Sequence, residues 1–231
     1  METFLQFDWI LFGGTFDPPH LGHMDIVRSI LDEYLSAEIV VVPSFSPPIG
    51  KGIVKNVSSS FSDRVAMCVL AFDQWERVQI SALEEDIETP SYTINTLRSF
   101  KSEHNLDSVA WVMGADQWES FCHWNNPIGI LEISSVIVIP RASMTHSDLL
   151  QNIVATCKAL GVYKGIDEVS NCVQLTTGQT VVLLKNRPTN VSSTEFRNEM
   201  RLNPQFDGST YVVPQVFEYI IDAGLYEIET T

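Results

Sequence analysis

The chain has 231 residues, 45% of them hydrophobic and 19% charged, enough apolar material for one large domain with a real core or two small ones at most. Lys and Arg number 14 against 29 Asp and Glu, a formal charge of −15. That balance argues against extended contact with DNA, RNA or anionic lipid, each of which needs a basic stripe, but leaves room for a small polyanion in a locally basic pocket.

Along the chain, short apolar runs alternate with stretches of helical spacing. Trp9–Phe12 reads as a strand, followed at once by the Gly- and His-rich run Gly13–His23 and a helical stripe of Ile26, Val27, Ile30, Leu31, Tyr34 and Leu35. Ile39–Val42 is the next strand. Pro43–Ser62, with its Pro-Pro pair, two glycines, two lysines and a serine run, reads as an exposed connection of the kind that often forms a lid. Val65, Val69 and Phe72 mark a second helix. Val109–Met113 and Val136–Ile139 are strands, and Leu149, Leu150, Ile153, Val154, Cys157 and Leu160 form a third helical stripe with Ser147 as its N-cap. Tyr163–Gly178 suggests a hairpin ending at the Thr-Thr-Gly turn, before a last strand at Val181–Leu184. Val216, Phe217, Ile220 and Ile221 give a closing helix between Pro214 and Gly224. Runs apolar on both faces, alternating with helices, imply an α/β domain whose helices cover a parallel sheet. With no repeat and no low-complexity linker, one domain over 1–231 is the economical reading, its helical end (about 192–231) packed on the sheet.

Cys68, Cys122, Cys157 and Cys172 form no C-x-x-C pair, so each reads as a buried small hydrophobe rather than a zinc ligand or half of a disulfide. The first Lys or Arg is Arg28, so the start lacks the basic segment of a secretion signal, and no apolar run approaches the ~20 residues needed to span a bilayer. The expectation is a soluble, cytoplasmic protein, with a homo-oligomer left open.

The run Gly13-Gly14-Thr15-Phe16-Asp17-Pro18-Pro19-His20-Leu21-Gly22-His23 joins the first strand to the first helix. Two glycines let the backbone approach a ligand, and the helix behind them turns its unpaired N–H groups toward the carboxyl edge of the sheet, a natural phosphate site. His20 and His23, three apart, share one face of the first helical turn. There they can donate hydrogen bonds to phosphate oxygens and share a proton-borne positive charge as negative charge builds up. They could also ligate a metal, but no third ligand is obvious nearby.

Three later segments carry polar groups of the same kind. Gly114-Ala115-Asp116 closes a strand with a carboxylate suited to ribose hydroxyls. Pro90–Leu97 reads by itself as the start of a helix capped by Ser91 or Thr93. Val191-Ser192-Ser193-Thr194-Glu195-Phe196-Arg197 reads as a helix N-terminus with an arginine one turn on, a second anion clamp.

The first run resembles the signature of the His-x-Gly-His nucleotidyltransferase superfamily. With the later segments in order over most of the chain, the sequence resembles the bacterial-type nicotinate mononucleotide adenylyltransferases. The resemblance implies a Rossmann-like parallel sheet with helices on both faces. It also implies transfer of the adenylyl group of ATP to nicotinate mononucleotide, giving deamido-NAD and pyrophosphate. On that pattern His20, His23 and Arg197 are the catalytic groups. Gly13, Gly14, Thr15, Phe16, Lys51, Gly114, Asp116, Ser193 and Thr194 face ATP, and Tyr92, Thr93, Trp124 and Arg141 face the mononucleotide, with Trp124 stacking on the pyridine ring. Mg²⁺ is expected to arrive on the triphosphate, since no carboxylate cluster is dedicated to it. The chain departs from the family where Ile49-Gly50 precedes Lys51 and where Asn125 replaces a common aromatic. Rival readings are the same chemistry on nicotinamide mononucleotide or on both, an adenylyltransferase for phosphopantetheine, and a non-catalytic nucleotide sensor.

Overall fold

The computed structural model describes residues 5–50, 53–54, 57–104, 108–141, 144–167, 170–203 and 205–226. In chain order its elements are β1 (Trp9–Gly14), α1 (Leu21–Glu33), β2 (Glu38–Pro43), β3 (Pro48–Gly50), β4 (Ile53–Val54), α2 (Phe61–Phe72), β5 (Val78–Ile80), α3 (Thr93–His104), β6 (Val109–Gly114), α4 (Ala115–Glu119), α5 (Pro127–Ile133), β7 (Ser135–Ile139), α6 (His146–Ala159), β8 (Tyr163–Asp167), β9 (Cys172–Leu175), β10 (Thr180–Leu183), α7 (Ser193–Leu202) and α8 (Pro214–Asp222). Two single 3-10 turns, Leu83–Glu85 and Phe121–His123, complete the set.

Eight strands form one sheet in the order β5-β2-β1-β6-β7-β10-β9-β8. From β5 to β10 every neighbour is parallel, with Ile10 beside Ile39 on one side and Ala110 on the other. The β9 strand runs antiparallel to β10, and β8 antiparallel to β9. The chain therefore steps outward from β1 to β2 and β5, then returns across β1 to β6 and continues the other way. Ligands of open α/β sheets bind where the strand order reverses, at the carboxyl ends of the strands, here the ends of β1 and β6.

Period-2 alternation sends each strand's side chains to two cores. Ile10, Phe12, Ile39, Val41, Val112 and Ile137 pack against α1, α2 and α8 on one face. Leu11, Val40, Val42, Trp111, Val136 and Val138 pack against α3, α5 and α6 on the other. Each fully buried aliphatic side chain contributes roughly 1.5–3 kcal/mol. Phe196 of α7 and Val216 and Ile220 of α8 join the first of these cores, and α8 lies against α2.

As expected, the Tyr163–Gly178 stretch forms a hairpin, β8 and β9; its Thr-Thr-Gly turn reverses the chain once more into β10, so the mostly parallel sheet carries an antiparallel edge. Several other expectations need correction. The α6 helix is capped by Thr145, whose hydroxyl accepts from the Asp148 N–H at 3.1 Å, not by Ser147, which lies inside the helix. Leu35 lies beyond α1 and is exposed, since Tyr34 ends the helix as its C-cap. The buried face of α2 is Arg64, Met67, Cys68, Ala71 and Phe72, leaving Val69 exposed. Of the cysteines, Cys122 is exposed. The Pro43–Ser62 connection contains the β3–β4 hairpin and buries Pro47 and Ser59, so it is not a bare exposed loop.

No helix among the described residues is long and apolar enough to cross a membrane.

Candidate active site

The carboxyl end of β1 sits close to its neighbours. A Cβ at Gly13 would lie 2.3 Å from ring carbons of Trp111, so the backbone approaches β6 in a way only glycine allows. Gly22, in the first turn of α1, is constrained by backbone instead, since a Cβ there would lie 2.7 Å from the backbone oxygen of Thr189. Phe16 turns the chain with φ +49° and buries its ring against Phe12, His23 and Phe72, so any ligand meets it through its backbone.

His20 is the N-cap of α1, and His23 is its third helical residue. The His20 N–H donates to His23 Nδ1 at 3.1 Å, and the His23 N–H donates to His20 Nδ1 at 3.4 Å, a capping box built from two imidazoles. Their rings stack with centroids 3.6 Å apart. An Nδ1 that accepts a hydrogen bond carries no proton, so each ring is the neutral tautomer with its proton on Nε2. Burial acts in the same direction. Desolvation lowers His20 to about 4, and pushes His23 well below its ordinary range with help from the neighbouring His20. Both rings are thus neutral Nε2–H donors near neutral pH in the free protein.

The N-terminus of α7 stands across from them. Ser192 caps the helix by accepting from the Glu195 N–H at 3.2 Å, and the Ser193 hydroxyl donates to the Pro18 carbonyl at 2.8 Å, tying α7 to the Gly13–His23 run. Arg197 Nη1 donates to the Asp17 carbonyl at 2.6 Å, and Nη2 to Thr194 Oγ1 at 3.4 Å. Together these groups line a cavity of about 690 Å³, with Gly13–Phe16, His20, His23, Gly114, Asp116, Arg141, Ser193, Thr194 and Arg197 in its wall. Arg197 therefore faces the histidines with room between them. Arg141, assigned from sequence to the mononucleotide, lines this cavity instead and pairs with Asp116 at 2.9 Å.

A second cavity of about 800 Å³ adjoins the first, sharing Gly13, Gly14, Thr15 and Gln117 with it. Tyr92, Thr93, Trp111, His123, Trp124 and Asn125 line it. Thr93 opens α3, whose first amides lack partners within the helix. The Tyr92 N–H is already committed to the Pro90 carbonyl at 2.8 Å. Ser91 does not cap the helix, because its hydroxyl accepts from the Ser46 N–H at 2.9 Å and so fastens the β2–β3 connection to α3. Trp124 is half-buried, its ring 5.5 Å from that of Phe121. Lys51 lies outside the described residues.

Two supports escaped sequence reasoning. Arg64 is buried, and its Nη1 donates to the carbonyls of Thr15 at 2.9 Å and Ser44 at 2.7 Å, locking together the loops that follow β1 and β2. Glu84 is buried beside them, accepting from the Phe45 N–H at 3.0 Å and Thr96 Oγ1 at 2.7 Å, while burial pushes its carboxyl above the ordinary range. The stripe Arg64, Met67, Cys68, Ala71 was the readable signal, a cation at helical spacing with apolar residues. No group of three or more His, Cys, Asp or Glu suited to a metal occurs among the described residues.

A cytidylyltransferase-like family profile matches residues 11–199. The chain is 30% identical over 218 residues to a probable nicotinate-nucleotide adenylyltransferase of Caldicellulosiruptor bescii, covering 94% of this chain and 97% of that one. It is 30% identical over 135 residues to a protein of the same description from Aquifex aeolicus, covering 58% and 78%. Among solved structures, Plasmodium falciparum nicotinic acid mononucleotide adenylyltransferase complexed with NaAD superposes with a TM-score of 0.68 at 18% identity, covering 94% of this chain and 96% of that one.

Proposed function

The chain belongs to the cytidylyltransferase-like family and, within it, to the nicotinate-nucleotide adenylyltransferases, and from that premise we propose that it transfers the adenylyl group of ATP to nicotinate mononucleotide, releasing pyrophosphate. One observation carries the reading: two cavities, one walled by His20, His23 and Arg197 and the other by Tyr92, Thr93 and Trp124, meet at the glycine turn after β1. A transfer between two nucleotides needs both bound at once with their phosphates touching. Residues 1–231 act as one domain in this reading, because α7 and α8 share a core with α1 and α2.

The nucleophile is the phosphate oxygen of the mononucleotide, already ionised near neutral pH. It forms a bond to the α-phosphorus of ATP while the bond from that phosphorus to the bridging oxygen breaks, and pyrophosphate carries away the electron pair. No side chain has to act as nucleophile or base, so catalysis is alignment and charge stabilisation. The Nε2–H groups of His20 and His23 donate to the α-phosphate as charge shifts toward the leaving group. Arg197 and Thr194 hold the β- and γ-phosphates, with the Ser193 N–H at the helix N-terminus beside them. The amides of Gly13–Phe16 and of the start of α1 complete that cradle. Gly114 and Asp116 face the ribose of ATP, and Arg141 is released from Asp116 as nucleotide enters. Trp124 stacks on the pyridine ring, while Tyr92 and Thr93 enclose it, the Tyr92 N–H being bonded to the Pro90 carbonyl and the Thr93 N–H having no partner among the described residues.

Nucleotidyltransferases of this family use a divalent metal with ATP. Here Mg²⁺ comes as part of MgATP, since Asp17 is taken up by protein donors and Asp116 faces the ribose.

Pyrophosphate release with MgATP and each pyridine mononucleotide tests the reading. Turnover with nicotinate mononucleotide at a higher kcat/KM than with nicotinamide mononucleotide is the expected result. Equal or reversed preference would move the assignment to the amide or to dual specificity, and absence of turnover with either would reject the enzyme.

A further inference from the structure

Asp17 belongs to the Gly13–His23 run, yet it is only 3% exposed. Its Oδ1 accepts from Ser59 Oγ at 2.6 Å and from Tyr226 OH at 2.8 Å, and its Oδ2 accepts from the Ser58 N–H at 2.8 Å. Arg197 Nη1 lies 3.8 Å from Oδ2 and donates to the Asp17 backbone carbonyl at 2.6 Å. One carboxylate thus joins the start of α2, the chain after α8 and the arginine of α7. A buried carboxylate is tolerated only when paired and hydrogen-bonded, and this one has neutral donors for its lone pairs besides the guanidinium. An arginine on a helix surface has large rotamer freedom, and ordering it on a ligand weakens binding. With Nη1 bonded to the Asp17 backbone carbonyl and attracted by the Asp17 carboxylate 3.8 Å away, the remaining edge of the Arg197 guanidinium stays at the cavity wall before any ligand arrives.

We propose that Asp17, itself held by Tyr226 and Ser59, is the positioning residue for Arg197, fixing the guanidinium where the triphosphate of ATP binds. The inference rests on the adenylyltransferase reading of the site, so its test includes MgATP binding as well as turnover. Asp17→Asn preserves the volume and removes the charge. It is expected to lower kcat/KM for MgATP, and for pyrophosphate in the reverse direction, by about tenfold to a hundredfold, the scale of a small misplacement of a binding group. The KM for nicotinate mononucleotide should stay within about twofold, because the second cavity does not contain Asp17. Combined with Arg197→Ala, Asp17→Asn should add little, since a residue acting through another is silent once that other is gone. Tyr226→Phe, which keeps the carboxylate, should give a smaller loss on the same two substrates.

A folded Asp17→Asn protein with unchanged MgATP kinetics, an equal loss for both substrates, or a loss fully additive with Arg197→Ala would overturn the proposal. If Asp17→Asn does not fold, Tyr226→Phe decides: unchanged MgATP kinetics in the folded variant overturns it, and a selective loss sustains it. Wild-type protein that binds MgATP by calorimetry but forms no pyrophosphate would count against the proposed reaction alone, and Asp17 would then be judged by the calorimetric affinity of its variants.

Discussion

Lowering the pH from 7 to 5 should destabilise this protein through His20 in a way that a single substitution can isolate. Burial holds the folded imidazole at about 4, whereas in the unfolded chain it titrates near its ordinary 6.5. As pH falls below 6.5 the unfolded state takes up a proton that the folded state refuses. The stability contributed by the neutral ring is therefore complete above 6.5 and is lost progressively as pH falls toward 4, below which both states are protonated. Integrated from pH 7 to pH 5, the loss is up to about 2 kcal/mol for this one group, at 1.36 kcal/mol per pH unit over the part of the window crossed. Desolvation by burial is the cause, and protonation also costs geometry, because a protonated Nδ1 can no longer accept the His23 N–H and the capping box opens. His20→Asn keeps an excellent N-cap acceptor and removes the titration. Urea unfolding of wild type and variant at pH 7 and pH 5 gives the comparison, with carboxylate contributions common to both proteins cancelling. The variant should lose about 2 kcal/mol less than wild type on acidification. Equal losses in the two proteins would mean that His20 titrates as a solvated imidazole and that the paired-imidazole cap is not how α1 begins.

Other consequences can be checked on the same preparation. His23→Ala should lower kcat on the order of 10²–10³-fold in a pyrophosphate-release assay, the scale seen when one preorganised donor is removed; near-wild-type turnover would remove His23 from the mechanism. Arg197→Ala should lower kcat/KM for MgATP by about tenfold to a hundredfold, the worth of a charge-assisted hydrogen bond, and unchanged ATP kinetics would refute the clamp. Gly22→Ala should destabilise the fold by ~1–3 kcal/mol in thermal or denaturant unfolding, because the added methyl meets the Thr189 backbone oxygen, which cannot rotate away. An unchanged melting curve would show that the contact between α1 and the chain before α7 is looser than its geometry implies.

Much of the molecule was legible in one dimension. Runs such as Ile39–Val42 and Val136–Ile139 are too apolar for a half-exposed strand, so a sheet covered on both faces followed from composition alone. The phosphate-type turn was equally readable, because Gly13, Gly14, His20 and His23 lie within eleven consecutive residues and local backbone chemistry fixes their arrangement. What local pattern could not supply was the partner of each group. Spacing placed His20 and His23 on one face, but only packing made their rings stack, accept each other's N–H and give up their charge. Spacing marked α2 as helical, but chose the wrong face, because a buried arginine reads as solvent-facing until the carbonyls of Thr15 and Ser44 are seen around it. The reversal at β9 was likewise undecided by hydrophobicity, which is the same for parallel and antiparallel neighbours. Asp17, Tyr226 and Arg197, separated by as many as 209 positions, meet only because folding of the sheet and its last helices brings them to one point. A sequence specifies which chemical groups exist and which local segments they ride on; pairings across the chain are set by the free energy of closing the whole core at once, and that is a property of the folded state alone.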